Sequence, residues 1–224
     1  MIEIFDIGTI AGLVLFAGYV IYIWLDVVYD MIDPNPTTWF MFAYGTLILT
    51  VLEWDGEATL SLLILPTLCS LGGVIVALRL WYKAFKKDPT QWWPADWWPE
   101  DPWERWSFIG DIVITVAYIG VWIFAYSALV DEASREWWVL VFLFLSNLST
   151  FPQFYPLIST TWKDPETEHW LPWTVWTISY ALLIVATLDA TNGVWWHALM
   201  FYPASNVLMH GIVALIALRR NPQY

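Results

Sequence analysis

The chain has one cysteine, Cys69, and few charges: 13% of its 224 residues are Asp, Glu, Lys or Arg. A lone thiol excludes internal disulfides and any zinc site built on cysteines. Only 9 residues are Lys or Arg against 21 Asp or Glu, giving a formal charge of -12. No basic stripe is left to pair with phosphates, so a nucleic-acid partner is excluded. The N-terminus carries Glu3 and Asp6 and no basic run, so the first apolar segment reads as an uncleaved helix rather than a signal peptide. No polar connection is long enough for a folded domain outside the apolar segments. No enzyme or cofactor motif stands out, and the expectation is a non-enzyme without a cofactor.

What remains is apolar. Fifty-nine per cent of the residues are hydrophobic, 19 are Trp, and the mean hydropathy is positive, the composition of an integral membrane protein. Seven runs approach the roughly 20 residues that cross about 30 Å of hydrocarbon. They span Phe5 to Val28, Thr37 to Trp54, Ala58 to Tyr82, Ser107 to Val130, Trp137 to Trp162, Trp170 to Leu188 and Val194 to Leu218. Continuous apolar runs indicate helices, since barrel strands would be shorter and alternating.

Two of these segments read as copies. Leu65 to Leu80 and Tyr202 to Ala217 align without a gap, pairing Pro66 with Pro203, Leu71 with Leu208, and Ile75-Val76-Ala77-Leu78 with Ile212-Val213-Ala214-Leu215. Each copy ends a block of three spans, with one span between the blocks. The expected organisation is a three-helix repeat over residues 1–85, a connection with a linker helix over 86–131, and a second three-helix repeat over 132–224. The single linker restores the orientation of the second unit, which makes the repeats parallel.

Basic residues near the span ends set the orientation. Arg79, Lys83, Lys86, Lys87, Arg105, Lys163, Arg219 and Arg220 share one side, and Arg135 stands alone on the other. This places the C-terminus in the cytoplasm and the N-terminus outside a cell or inner membrane. The longest polar connection holds a tandem pentapeptide, Trp92-Trp93-Pro94-Ala95-Asp96 and Trp97-Trp98-Pro99-Glu100-Asp101, followed by Trp103 and Trp106. Proline blocks a regular helix and Trp favours the headgroup level, so this stretch reads as an interfacial strap over the join between the repeats.

Polar groups inside spans mark a pathway or a helix–helix bond. Asn206 and His210, four apart on one helix face, align with Cys69 and Gly73 of the first repeat. They either line a cavity or bond neighbouring helices. The fifth span carries Asn147, Ser149, Thr150, Pro152 and Gln153, and a proline there frees the carbonyl of Leu148. In the first span, Gly18-Tyr19 holds the corresponding hinge position, and Gly8 and Gly12 form a small-residue packing face. Asp111, within the fourth span, reads as an interface or helix-end carboxylate rather than a proton carrier.

The sequence Thr150-Phe151-Pro152-Gln153-Phe154-Tyr155, followed by a short polar loop and the aromatic segment Trp173 to Leu183, resembles the motif of the PQ-loop proteins. The three-plus-one-plus-three layout is similar to that of the SWEET sugar transporters of the same superfamily. Tyr44-Gly45 and Tyr180-Ala181 look like that family's tyrosine-glycine position. The resemblance implies a midplane site gripped by asparagines on the third and seventh helices and by residues of the second and sixth. Here these positions fall on Asn206, on Cys69 in place of the second asparagine, on Tyr44, and on Trp176 or Tyr180. Pro152 with Gln153, and Gly18, fall on the hinges.

Three functions follow as expectations. The first is alternating-access transport of a small polar solute, sugar-like or another metabolite, within the lipid bilayer. The second is a receptor, or a subunit assembled with its own copies or with other membrane subunits, on the same scaffold. The third is a magnesium-dependent intramembrane transferase on Asp26, Asp30 and Asp33, because acidic side chains four apart can share a divalent ion.

Overall fold

The structure is a computed structural model and describes residues 6–29, 36–87, 101–126, 131–195 and 197–219. Asp30, Asp33 and the strap residues 88–100 lie outside them. The described chain is an all-α integral membrane protein of seven long helices: α1 (Ile7–Tyr29), α2 (Pro36–Asp55), α3 (Leu60–Lys87), α4 (Pro102–Tyr126), α5 (Glu132–Lys163), α6 (Trp170–Ala190) and α7 (Phe201–Ala217). All but α2 are long and apolar enough to cross a bilayer. The 20 residues of α2 include Thr37, Thr38, Thr46 and Glu53, which lower its hydropathy, and all four are buried against other helices.

The two three-helix units share one packing order. In the first, α3 lies between α1 and α2; in the second, α7 lies between α5 and α6. The units meet through matching pairs, with α1 along α6 and α2 along α5. The linker α4 packs on α5 and more lightly on α2, leaving most of its surface outward.

Because lipid is as apolar as a leucine side chain, these contacts rest on close approach and interhelical hydrogen bonds rather than on hydrophobic burial. Gly8 lets α1 reach α3, where a β-carbon would stand 2.8 Å from the carbonyl oxygen of Ser61. Ser179 donates to the carbonyl of Ala11 at 2.7 Å and Ser70 to that of Ala43 at 2.8 Å, joining α6 to α1 and α3 to α2. On the face shared by the α1–α2 and α5–α6 connections, Arg79 and Lys83 of α3 hold Asp26 of α1 at 3.2 and 2.9 Å. On the opposite face Arg135 of α5 binds Asp55 of α2.

Several expected boundaries move for local reasons. α4 begins at Pro102 rather than Ser107, because Asp101 accepts the Trp103 amide at 2.7 Å and caps the helix. Trp103 and Trp106 therefore belong to α4, not to the strap, and Asp111 lies deep in the helix instead of in its first turn. Asp131 caps α5 through the Ser134 amide, which starts that helix before Trp137. α6 stops at Asn192 and Gly193, both with positive φ of 52° and 81°. The following segment turns through a short 3₁₀ helix, Ala198–Met200, so α7 starts at Phe201 rather than Val194. α5 runs as one helix through both Pro152 and Pro156.

Candidate functional site

At mid-depth, where the two units meet, the helices enclose a cavity. Its walls include Tyr19 of α1, Thr46 of α2, Cys69 of α3, Gln153 of α5, Trp176 and Tyr180 of α6, and Asn206 and His210 of α7. About 30 Å³ is open to the centres of water molecules, room for one or two waters. A hexose does not fit without the helices parting, since small-molecule pockets run to about 300–1,000 Å³.

Both ends are plugged. Towards the face carrying the α5–α6 connection stand Tyr22, Trp39, Trp173 and Phe154, each 3% exposed or less. Trp173 and Trp176 meet edge to face at 4.9 Å between ring centres, and Trp39 and Tyr22 lie 4.9 Å apart. Towards the opposite face stand Leu52, Leu65 and Tyr202, all fully buried. This is an occluded arrangement.

Polar order inside the cavity comes from two sets of bonds. Tyr19 donates its hydroxyl to the Cys69 carbonyl at 3.0 Å, the Cys69 sulfur lies 3.4 Å from the Tyr180 hydroxyl, and that hydroxyl lies 3.1 Å from the Tyr202 hydroxyl. This chain of phenols and one thiol crosses from α1 through α3 and α6 to α7. On the other wall, Gln153 donates to Asp111 Oδ2 at 2.7 Å, linking α5 to α4. Asp111 is 1% exposed, and its Oδ1 has no hydrogen-bond partner among the described residues. Gly45 completes the corner: a β-carbon there would stand 3.2 Å from Gln153 Nε2 and 3.4 Å from Asp111 Oδ2.

Of the residues expected at the site, Asn206, Cys69, Trp176, Tyr180, His210 and Gln153 all face this cavity. Tyr44 does not; its hydroxyl turns outward to Thr115 of α4 at 2.7 Å. Pro152 lines a groove between α4 and α5, on the lipid side of the helix that presents Gln153 inward. Gly18 is where the Trp176 indole crosses α1, with the indole N–H donating to the Leu15 carbonyl at 3.1 Å; a β-carbon at Gly18 would collide with the ring.

Asp26 binds Arg79 through one carboxylate oxygen and Lys83 through the other. No cluster of three or more metal-ligating side chains occurs among the described residues. Glu168, beyond α5, points inward and accepts from Trp173 Nε1 at 2.9 Å and from the Tyr22 hydroxyl at 3.2 Å. Burial pushes its carboxyl up to about 8, against the opposing pull of those two bonds. It ties α1 to α6 beneath the aromatic plug.

Tyr202, Trp39 and the Gln153–Asp111 pair escape a reading of the sequence. One signal was present for the plug: Trp173, Trp176 and Tyr180, at intervals of three and four, fall on one helix face. Nothing local distinguishes Trp39 from the interfacial Trp residues around it. No protein-family model matches the chain, and comparison with curated proteins and with solved structures gives no match.

Proposed function

We propose that the protein moves a small polar solute across the membrane by alternating access, with the two three-helix units rocking about the midplane cavity. One observation carries this reading: a closed cavity with polar groups lies where the two similarly packed units meet, lined by helices of both. A packed interior without a pathway would fill such a space with apolar side chains, because unpaired polar groups in hydrocarbon are costly. The plugs at either end supply two gates. Trp39 and Trp173 belong to different units, so separating the units parts them. On the other side Leu52 and Leu65 belong to one unit and Tyr202 to the other, so the opposite tilt parts that plug.

In this mechanism Asn206 bonds the solute, Trp176 and Tyr180 flank it, and Cys69 and Gln153 complete the wall. The basic residues on the face of the α5–α6 connection orient that face to the cytoplasm. The test is counterflow of a labelled solute panel in liposomes, with Asn206→Ala as the paired variant. Uptake of one class that Asn206→Ala abolishes, in a variant that remains folded, is the expected result. Absence of uptake of any member by the wild-type protein rejects transport of these classes.

A further inference from the structure

We infer that the solute of this cavity is a small organic cation, an ammonium or protonated amine; this rests on the transport reading for its biological meaning but not for its chemistry.

Most fixed donors on the wall are already used inside the protein. Asn206 donates one of its two amide N–H groups to the Tyr202 carbonyl at 2.9 Å, and Gln153 donates its two to Asp111 Oδ2 at 2.7 Å and Ser149 Oγ at 3.3 Å. The Tyr202 carbonyl and the ionised Asp111 only accept, which fixes both amides the same way: the nitrogen inward to the protein, the carbonyl oxygen unused. His210 Nδ1 lies 2.9 Å from the backbone carbonyl of Asn206, which can only accept, so Nδ1 carries the proton and Nε2 is a bare acceptor. The indole N–H of Trp176 goes to Leu15 and that of Trp173 to Glu168.

What remains on these cavity-lining residues is one Asn206 N–H and three acceptors, Asn206 Oδ1, Gln153 Oε1 and His210 Nε2. The three acceptors have no partner among the described residues. The hydroxyls of Ser146 and Thr150 can serve in either sense.

The electrostatics point the same way. Among the described residues no Lys or Arg lines the cavity, and the remaining wall is dominated by Tyr19, Trp39, Trp173, Trp176 and Tyr180, whose ring faces attract cations. Asp111, behind Gln153, keeps a buried oxygen without a partner, an uncompensated acceptor that a positive solute would offset. An anion would meet acceptors and a carboxylate. A sugar needs several donors for its ring and hydroxyl oxygens as well as acceptors for its O–H groups, and only one Asn206 N–H and the Ser146 and Thr150 hydroxyls are left to donate. Size agrees: methylammonium, little larger than a pair of waters, fits the occluded space, and bulkier cations fit once the units part.

The experiment is equilibrium binding by calorimetry on the purified full-length protein, with methylammonium, the neutral alcohol ethanol, the polyol erythritol and acetate as probes. Saturable methylammonium binding at least ten-fold tighter than ethanol or erythritol, with none of acetate, is expected. Asp111→Asn, which keeps the shape but removes the charge, weakens methylammonium about ten-fold and leaves ethanol unchanged. Erythritol or acetate binding as tightly as methylammonium, or no methylammonium binding, overturns the assignment without any variant having to fold.

Liposome flux of tetramethylammonium, which cannot lose a proton to cross the bilayer, separates this inference from the transport reading. Cation binding without flux supports the site and removes transport. Flux of erythritol without cation binding keeps transport and removes the cation.

Discussion

Replacing Gly18 with alanine tests the packing at the centre of the molecule with one carbon atom. The added methyl meets the Trp176 indole at Nε1, Cδ1 and Cε2, the last at 3.2 Å, so the ring has to move. The ring cannot move freely. Its N–H is bonded to the Leu15 carbonyl, and its faces and edges touch Tyr19, Trp39, Trp173 and His210 at centroid distances between 4.9 and 5.9 Å.

Overpacking of this kind costs about 1–3 kcal/mol, and loss of the indole hydrogen bond about 1 kcal/mol more. Alanine returns about 1 kcal/mol through helix propensity. The net loss is about 1–3 kcal/mol, or roughly a 2–12 °C fall in Tm for a chain of this size, read by thermal unfolding of the purified protein in detergent. Gly110→Ala and Gly120→Ala are internal controls, since nothing stands within 4 Å of a β-carbon at either position; both leave Tm unchanged or slightly raised. The clash also predicts coupling: Trp176→Leu costs less in the Gly18→Ala background than alone. A Gly18→Ala protein as stable as the two controls would refute the placement of Trp176 against α1.

Four further outcomes are expected. Asp26→Ala destabilises by about 2 kcal/mol, less than the ~3–5 for a fully buried pair because Arg79 and Lys83 are 32% and 37% exposed, and chemical denaturation measures it. Glu168 holds its proton in the fold up to about pH 8 but ionises near 4.5 when unfolded, so stability falls as pH rises between those values, by up to about 1.4 kcal/mol per unit. Glu168→Gln flattens that slope, and a Tm series from pH 5 to 8 distinguishes the two proteins. Cys69, the single thiol, is buried on the cavity wall, so a small water-soluble thiol reagent modifies it only when the units part. A transported solute then changes the rate of labelling, and a rate as fast as that of an unfolded control would contradict the occluded cavity.

The sequence by itself determined the class of this protein. Continuous apolar runs with no soluble domain between them leave only helices in a bilayer, because backbone polar groups have no water to bond there. The alignment of Leu65–Leu80 with Tyr202–Ala217 pairs α3 with α7, and the spacing of Asn206 and His210 puts them on one helix face, both properties of a linear pattern. The register at the helix ends was less legible. Asp101 and Asp131 act as caps only once their side chains are seen to accept the Trp103 and Ser134 amides.

Tertiary structure alone decided which polar residues share a wall. Tyr44 and Gly45 are neighbours in sequence, yet consecutive helix positions point about 100° apart, sending Tyr44 to Thr115 of α4 and leaving Gly45 as the gap that admits Gln153 and Asp111. Asp26 of α1 meets Arg79 and Lys83 only because α3 delivers them from more than 50 residues away. The acceptor-rich face of the cavity has the same origin. Whether an amide presents its N–H or its oxygen depends on the partner that another turn or another helix supplies, and composition holds no record of that choice.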